Sequence, residues 1–483
     1  MVINGSKGDW KVDVGLEIHA QVISESKLFS GASTDFGGAP NSHASIIDAA
    51  LPGVLPSLNQ FVIKQAVKTG LALGGNINKD SFFDRKHYFY PDLPQGYQIT
   101  QFYNPIVTGG AIEIENKKKI VLRSIHLEQD AGKSIHDQSP IHTYIDLNRA
   151  GIALMEIITE PDISSPSEAT SFLKELRLIL RYINACDGDM ENGSLRCDAN
   201  VSVRPLGSDK LGERCEIKNL NSIRNISIAI ESEAKRQIAL LESGGTITQE
   251  TRLFNPNLST TEFMRKKENA YEYHYFPDPD LPVVSLEQSF VDSVAASLPE
   301  LPKSKIARYV NSLNLNEYDA KVIASNKDCA SFFEKAVEHG ISLENAKMIG
   351  NWVSVELFGY LNKHSISILQ SPVKPSDLAD LVILIKQGII SGTIAKQVFA
   401  EMCETSGKPM SIIKSRGLEQ LSDEVTIEKL VDNILAINQD SVLAYKNGKE
   451  KILGFFVGQV MKKTSGKANP SLVNEILRKK LSK

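Results

Sequence analysis

Hydrogen-bonding and charged side chains fall on alternating positions inside otherwise apolar, strand-like sequence in three short stretches of the chain: Gly15-Leu16-Glu17-Ile18-His19, His126-Leu127-Glu128-Gln129-Asp130 and Leu154-Met155-Glu156-Ile157-Ile158. A period of two predicts strands, on which residues i and i+2 share a face. Glu17 therefore points with His19, and His126 with Glu128 and Asp130. Two further stretches behave alike: Arg196 to Arg204, with Asp198, Asn200 and Ser202 alternating, and Arg214 to Asn221, with Glu216 and Lys218 on one face. Between them the period becomes helical. Ser57 is placed to cap a helix carrying Leu58, Phe61, Val62 and Leu71, which runs out at Gly74-Gly75. Ser165-Pro166-Ser167-Glu168 has capping-box spacing with proline at the first helical position, and Leu173, Leu176, Ile179, Leu180 and Ile183 follow at helical intervals. A third helix starts near Asn221, presents Ile223, Ile226, Ile230 and Ile238, and stops at Gly244-Gly245. The fold class predicted is α+β with a largely antiparallel sheet.

Tyr275-Phe276-Pro277-Asp278-Pro279-Asp280-Leu281-Pro282 cannot continue a helix or a central strand, because its prolines fix φ and lack amide donors. It closes the first domain. Beyond about residue 290 the pattern is helical almost throughout, opened by Leu298-Pro299-Glu300-Leu301-Pro302 and interrupted at Ser371-Pro372-Val373-Lys374-Pro375. We expect an α+β domain over 1–292, an all-α domain over 293–407 and a small α-helical tail domain over 408–483.

At 483 residues the chain exceeds what one core supports. Its formal charge of −4 does not advertise a polyanion partner for the whole molecule. The tail differs: Lys446, Lys449, Lys451, Lys462, Lys463, Lys467, Arg478, Lys479, Lys480 and Lys483 face only Glu450 and Glu475. Such a surplus is a footprint for nucleic acid, or else a solvated helix face. The five cysteines, Cys186, Cys197, Cys215, Cys329 and Cys403, have no C-x-x-C spacing, which argues against a disulfide framework or a thiolate zinc site. No run approaches membrane-spanning length and Met1 to Lys7 has no apolar signal core. The expectation is a cytoplasmic, reduced protein without a membrane partner.

Carboxylates lining a sheet face must be held apart, hydrated or neutralised by a cation. One polar strand is usually the wet side of an antiparallel sheet; five carboxylate-bearing strands point to a shared cavity. Glu17, Glu128 and Glu156 offer hard oxygens and His19 a nitrogen, a set that suits Mg²⁺ or Mn²⁺ better than structural zinc. Asp198 and Glu216 are further candidates. Carboxylate-held Mg²⁺ is the usual companion of ATP in phosphoryl transfer. The nucleotide is not held by a P-loop: Ala131-Gly132-Lys133-Ser134 resembles its end, but Leu127 stands where the first glycine is required. In Asp187 to Gly193 the glycine comes one position too late for a calcium loop, and the segment reads as a surface turn. The irregular segment Asp84 to Gln98 combines cations with three tyrosines, so Arg85 and Lys86 are candidates for phosphate and the tyrosines for stacking on a base or ribose.

Taken in order, Val14 to His19, Asp84 to Gln98, His126 to Lys133, Asp146 to Gly151, Glu156 to Asp162, Gly193 to Asn200, Glu216 to Asn221, Ser391 to Lys396, Leu453 to Lys462 and Gly466 to Pro470 resemble the B subunits of the tRNA-dependent Asp/Glu amidotransferases. The resemblance covers nearly the whole chain. It implies a cradle-like kinase domain, helical and tail domains that grip tRNA, and a heterotrimer completed by a small C subunit, with glutamine hydrolysed by an amidase-fold glutaminase, the A subunit. It also implies ATP- and Mg²⁺-dependent phosphorylation of the side-chain carboxylate of Glu-tRNA(Gln) or Asp-tRNA(Asn), followed by amidation with ammonia. By motif position Glu17, His19, Glu128 and Glu156 correspond to the metal-associated residues. Many relatives carry a zinc knob on paired cysteines where this chain has Ser30, Ala32, Ser45 and Asp48, so no zinc is expected. The competing readings are a non-catalytic tRNA-binding scaffold, and a ligase for a free small molecule, which would leave the basic tail without a purpose.

Overall fold

The alternating stretches form adjacent strands of one sheet. In the computed structural model, which describes residues 2–266, 270–340, 343–418, 423–446, 449, 451–464 and 467–482, the central strand is β1 (Asp9–Gln21). Glu450, Gly466 and Lys483, named above, lie outside the described residues. β1 buries Val12, Val14, Leu16, Ile18 and Ala20 almost completely and turns Asp13, Gly15, Glu17, His19 and Gln21 to the other face. Burying each of the larger side chains stabilises the fold by about 1.5–3 kcal/mol. Register is thereby fixed, since a slip of one residue would drive Glu17 and His19 into the core.

Around β1 lie β2 (Asp84–His87), β3 (Tyr97–Thr100), β4 (Lys119–Gln129), β5 (Ala153–Thr159), β6 (Leu195–Pro205), β7 (Cys215–Lys218), β8 (Glu250–Asn255) and β9 (Thr260–Lys266). The main sheet has eleven strands among the described residues, and its order runs β9-β8-β7-β6-β1-β5-β4 before two short strands, Val107–Thr108 and Asn76–Ile77. Every pairing from β7 to β4 is antiparallel. β7 and β8 are parallel, and the helix between them supplies the crossover that parallel neighbours need.

That helix, α3 (Ile223–Glu242), shares one apolar core with α1 (Gln60–Ala72), α2 (Pro166–Tyr182) and the buried face of the sheet. The caps follow local chemistry. Ser165 Oγ accepts the Glu168 N–H at 3.2 Å, while the Glu168 carboxylate takes the Ser164 N–H at 2.9 Å. Ser222 caps α3 through the Asn225 N–H at 3.1 Å. At α1 the expected cap moves: Asn59, not Ser57, accepts the Phe61 N–H. The Asn59 amide also donates to Ser24, Ser26 and Lys27, which ties the helix start to an earlier loop, and Ser57 is left to donate its N–H to Phe29 O. Phe61, expected on the apolar face, is exposed.

The chain divides into compact units over residues 1–301 and 302–483. The second is helical and holds two apolar clusters, one running from Tyr309 to Ile413 and one from Ile427 to Leu481. In the first cluster a π-helical turn, Trp352–Leu357, links helices Leu343–Asn351 and Phe358–His364. In the second, Phe456, Val460, Val473 and Leu477 are buried, whereas Lys446, Lys449, Lys451, Lys462, Lys463, Arg478 and Lys479 are exposed. Among the described residues no helix is long and apolar enough to cross a membrane.

Candidate metal centre

Strand register arranges the polar face in rows. One row reads Arg196, His19, Glu156, His126 across β6, β1, β5 and β4. The next reads Asp198, Glu17, Ile158, Ser124 from β6 to β4, with Lys218 of β7 hydrogen-bonded to Asp198. On the other side of the first row, Glu128 stands opposite Leu154.

Within this lattice His19 Nε2 lies 3.2 Å from Glu128 Oε1 and 3.6 Å from Glu156 Oε1. His126 Nε2 is hydrogen-bonded to the other Glu156 oxygen. One ligand atom each from His19, Glu128 and Glu156 falls within 4.8 Å of the others. Two carboxylate oxygens and an imidazole nitrogen are a donor set that would suit Mg²⁺ or Mn²⁺, whose charge would offset that of a phosphate. Burial opposes a charge on His19, but Glu156 and Glu128, with Asp198 behind them, outweigh it and lift the imidazole to about 9. Burial likewise opposes a charge on His126, and Glu156 overcomes it. Burial acts to raise Glu156, yet His126, His19 and Lys86 hold its carboxyl well below the usual range. A divalent cation entering here competes with protons for the same lone pairs.

Glu17 is on the neighbouring row, outside the three-residue group, and accepts from Asn200 Nδ2 at 2.8 Å. Asp198 is bound by Lys218 Nζ, which lies 3.6 Å from Glu216 Oε1. Glu216 Oε2 accepts from Thr251 Oγ1 at 2.8 Å. The candidates thus form two groups, one in which His19, Glu128 and Glu156 converge and one around a lysine. Glu17 stands between them and acts on Lys218 electrostatically. Arg85 and Lys86 part company because successive side chains on β2 leave opposite faces. The Arg85 guanidinium reaches Asp278 and Asp280 at 2.8 Å each and covers the Tyr97 ring. Lys86 turns inward, its Nζ 4.8 Å from the Tyr273 ring centroid, and it acts on Glu156.

Sequence comparison assigns the chain to a family. A family profile described as the GatB/GatE catalytic domain matches residues 12–292, and a second, described as the GatB domain, matches 331–481. The chain belongs to the GatB/GatE family. It is 57% identical over 484 residues to the B subunit of the aspartyl/glutamyl-tRNA(Asn/Gln) amidotransferase of Rickettsia rickettsii (strain Sheila Smith). It is also 57% identical over 483 residues to those of Rickettsia typhi (strain ATCC VR-144 / Wilmington) and Rickettsia prowazekii (strain Madrid E). Each match covers 99% of both chains. Every strand-borne residue of the centre falls within the GatB/GatE catalytic domain.

This GatB/GatE chain also brings residues to the centre that sequence reasoning did not select. His126 is the clearest, and its position two residues before Glu128 on one strand was the available signal. Tyr275 opens the segment expected to close the domain, and Tyr273 lies two residues before it. Phe276 pairs with Arg85, so the chain folds back over β2 and lays these tyrosines beside Tyr88 and Phe102. Tyr275 stacks on Phe102 at 4.0 Å, and Tyr273 meets Tyr88 and Tyr275 edge-on. Burial, reinforced by the Glu128 charge, pushes the hydroxyls of Tyr88 and Tyr275 up. Their tyrosines at alternating positions, Tyr271-Glu272-Tyr273-His274-Tyr275, were visible in the sequence.

Ser30, Ser45 and Asp48, three of the positions at which the resemblance implied a departure from a zinc knob, take part in a hydrogen-bonded knot. Asp48 accepts from Ser30 Oγ at 3.0 Å, the Ser45 N–H at 2.8 Å and Lys27 Nζ at 3.1 Å. Lys27 is fully buried and also donates to Leu147 O at 3.2 Å. The Ala131 to Ser134 turn has a packing reason for its glycine: a Cβ on Gly132 would lie 2.8 Å from Asp146 O.

Proposed function

We propose that the chain is the B subunit of a tRNA-dependent amidotransferase, using ATP and Mg²⁺ to phosphorylate the side-chain carboxylate of Glu-tRNA(Gln), Asp-tRNA(Asn) or both. The observation that carries this reading is the convergence of His19, Glu128 and Glu156 from three neighbouring strands, with one ligand atom of each within 4.8 Å of the others. The names of its relatives, B subunits of enzymes for aspartyl/glutamyl-tRNA, support the choice of acceptor.

A carboxylate is a poor acyl donor because oxide is a poor leaving group. Its oxygen attacks the γ-phosphorus of ATP as the bond to ADP breaks; ammonia then attacks the acyl carbon, phosphate departs with its oxygen, and a proton is released. Mg²⁺ held by His19, Glu128 and Glu156 would offset the phosphate charge. His126 orients Glu156, and Lys86 brings a cation toward the phosphates. Arg85 is committed to two carboxylates, so a phosphate would have to displace them, and Lys86 is the better candidate. Glu17, Asp198 and Glu216 line the rest of the face and are candidates for a second ion or for water-mediated contacts.

The ammonia comes from elsewhere. All five cysteines are buried, and burial lifts the thiols of Cys186, Cys215 and Cys329 to about 12 and that of Cys403 to about 11, which suits none of them to glutamine hydrolysis. An amidase-fold glutaminase, the A subunit, supplies it, and a small C subunit completes the assembly. The complex works in the cytoplasm, where tRNA is charged, and the basic tail grips the tRNA. Zinc has no part in this scheme, which metal analysis of the purified protein checks. The deciding experiment measures ATP consumption by the reconstituted complex with each misacylated tRNA. Turnover that requires misacylated tRNA and vanishes in Glu128→Gln is expected; tRNA binding with no such turnover would leave a scaffold.

A further inference from the structure

One cation on the polar face has no part in the scheme above. Arg196 of β6 stands directly opposite His19 and heads the row that continues through Glu156 to His126. Its Nη2 donates to Asp130 Oδ2 at 2.7 Å. Asp130 is itself fixed: Oδ1 accepts the Ala131 N–H at 2.9 Å, its own N–H donates to Ile152 O at 2.8 Å, and Arg149 Nε lies 3.6 Å from Oδ2. Arg149 is spent on the backbone, donating to the carbonyls of Ala131 and Gly132 at 3.0 and 2.7 Å. The guanidinium of Arg196 is therefore held at one corner. Its Nε is buried and has no hydrogen-bond partner among the described residues, while the side chain as a whole is 36% exposed.

Asp130 thus takes one donor of the fork, and the exposed part of the guanidinium, beside His19 in the row, offers the remaining donors to an incoming ligand. Guanidinium matches carboxylate and phosphate oxygens with a rigid fork of donors. The surroundings favour a further cation for an anionic substrate, since Glu17, Glu128 and Glu156 share this face and Lys218 is already taken by Asp198. We propose that Arg196 binds an oxyanion at the metal centre, either the carboxylate to be activated or the phosphoryl group it receives, with Asp130 as its positioning residue. The assignment rests on the phosphoryl-transfer reading given above.

The test uses the reconstituted complex with Arg196→Ala, Arg196→Lys and, as a control, Glu156→Gln. kcat and KM are measured separately for ATP and aminoacyl-tRNA, together with Mn²⁺ affinity and thermal melting. Loss of an oxyanion donor lowers kcat about 10²–10³-fold, and that loss is expected for Arg196→Ala with Mn²⁺ affinity retained. Arg196→Lys keeps the charge but not the fork, so it recovers only part of the rate, and added guanidinium ion restores part of the rate to Arg196→Ala. A rise in KM for ATP identifies the phosphoryl group as the ligand, and a rise for aminoacyl-tRNA the carboxylate. Full activity of Arg196→Ala while Glu156→Gln is dead overturns the assignment alone. So does a loss in Arg196→Ala that follows the melting temperature and does not respond to guanidinium. Full activity of both variants overturns the phosphoryl-transfer reading, and the assignment with it.

Discussion

At the scale of single residues the proposed metal centre depends on how its carboxylates and imidazoles are aimed. His126 touches Glu156 through one carboxylate oxygen and leaves the other facing His19. Partners that orient a metal ligand typically contribute 10–100-fold to affinity, so His126→Ala should weaken Mn²⁺ binding by about that factor. Titration followed by electron paramagnetic resonance reads it directly, and saturating metal should restore much of the lost turnover; unchanged affinity would mean that Glu156 is held by packing alone. The Lys27–Asp48 knot gives a second residue-scale expectation. Breaking a buried ion pair from one side strands a charge, so Asp48→Asn should cost about 3–5 kcal/mol. Replacing both partners by Lys27→Met with Asp48→Leu should cost far less, because no charge is then left unpaired. Denaturant unfolding of the two variants separates these outcomes, and equal losses would show that shape rather than charge holds the knot.

At the scale of elements, helix α3 contains a buried carboxylate whose stability contribution depends on pH. Glu233 is fully buried, accepts from Arg236 Nη2, Gln237 Nε2 and Thr261 Oγ1 at 2.7–2.8 Å, and lies 3.3 Å from Arg252 Nε. Burial acts to raise its pKa, but the bonds from Arg236, Thr261 and Gln237 carry it below the ordinary value. Its ionised form therefore stabilises the fold above the unfolded glutamate pKa of about 4.3, and the contribution is lost as pH falls through the folded value. Glu233→Gln should destabilise by about 3–5 kcal/mol at neutral pH, and the gap to the parent should narrow below about pH 4. Melting both proteins at pH 7 and in acid tests this; a gap independent of pH would assign the loss to hydrogen-bond geometry. Such networks were not legible in the sequence, because Glu233 and Thr261 meet only after β8 and β9 have paired. What was legible was local. The period of two in β1 put Glu17 and His19 on one face, and the capping box placed the start of α2. Which carboxylates would meet His19 depended on β4 and β5 as neighbours, a long-range choice that motif resemblance supplied and alternation did not. Asn59 displaced Ser57 as a cap for the same kind of reason: its other partners, Ser24, Ser26 and Lys27, belong to a distant loop.

For the whole molecule the question is how a chain of net charge −4 holds a polyanion. On the proposed reading the exposed cations of the tail, Lys446, Lys449, Lys451, Lys462, Lys463, Arg478 and Lys479, supply the field, while Lys480 is partly spent on Glu428 and Asp432 at 2.8 and 2.6 Å. Cutting the chain after Lys446 is the obvious test and a poor one. The helices Ile452–Lys463 and Pro470–Leu481 contribute Phe456, Val460, Val473 and Leu477 to the core they share with Ile427 and Val431, so truncation would expose that core as well as remove charge. Changing Lys462, Lys463 and Lys479 to glutamine leaves every buried side chain in place. If these lysines touch phosphates, the slope of log affinity against log salt should fall in magnitude by about 0.7–0.9 for each phosphate no longer neutralised. Binding should weaken for every tRNA alike, because phosphate contacts carry no sequence information, and ATP turnover at saturating tRNA should be unchanged. A triple variant with an unaltered salt slope would remove the tail from the tRNA interface and leave its lysines as a solvated helix face.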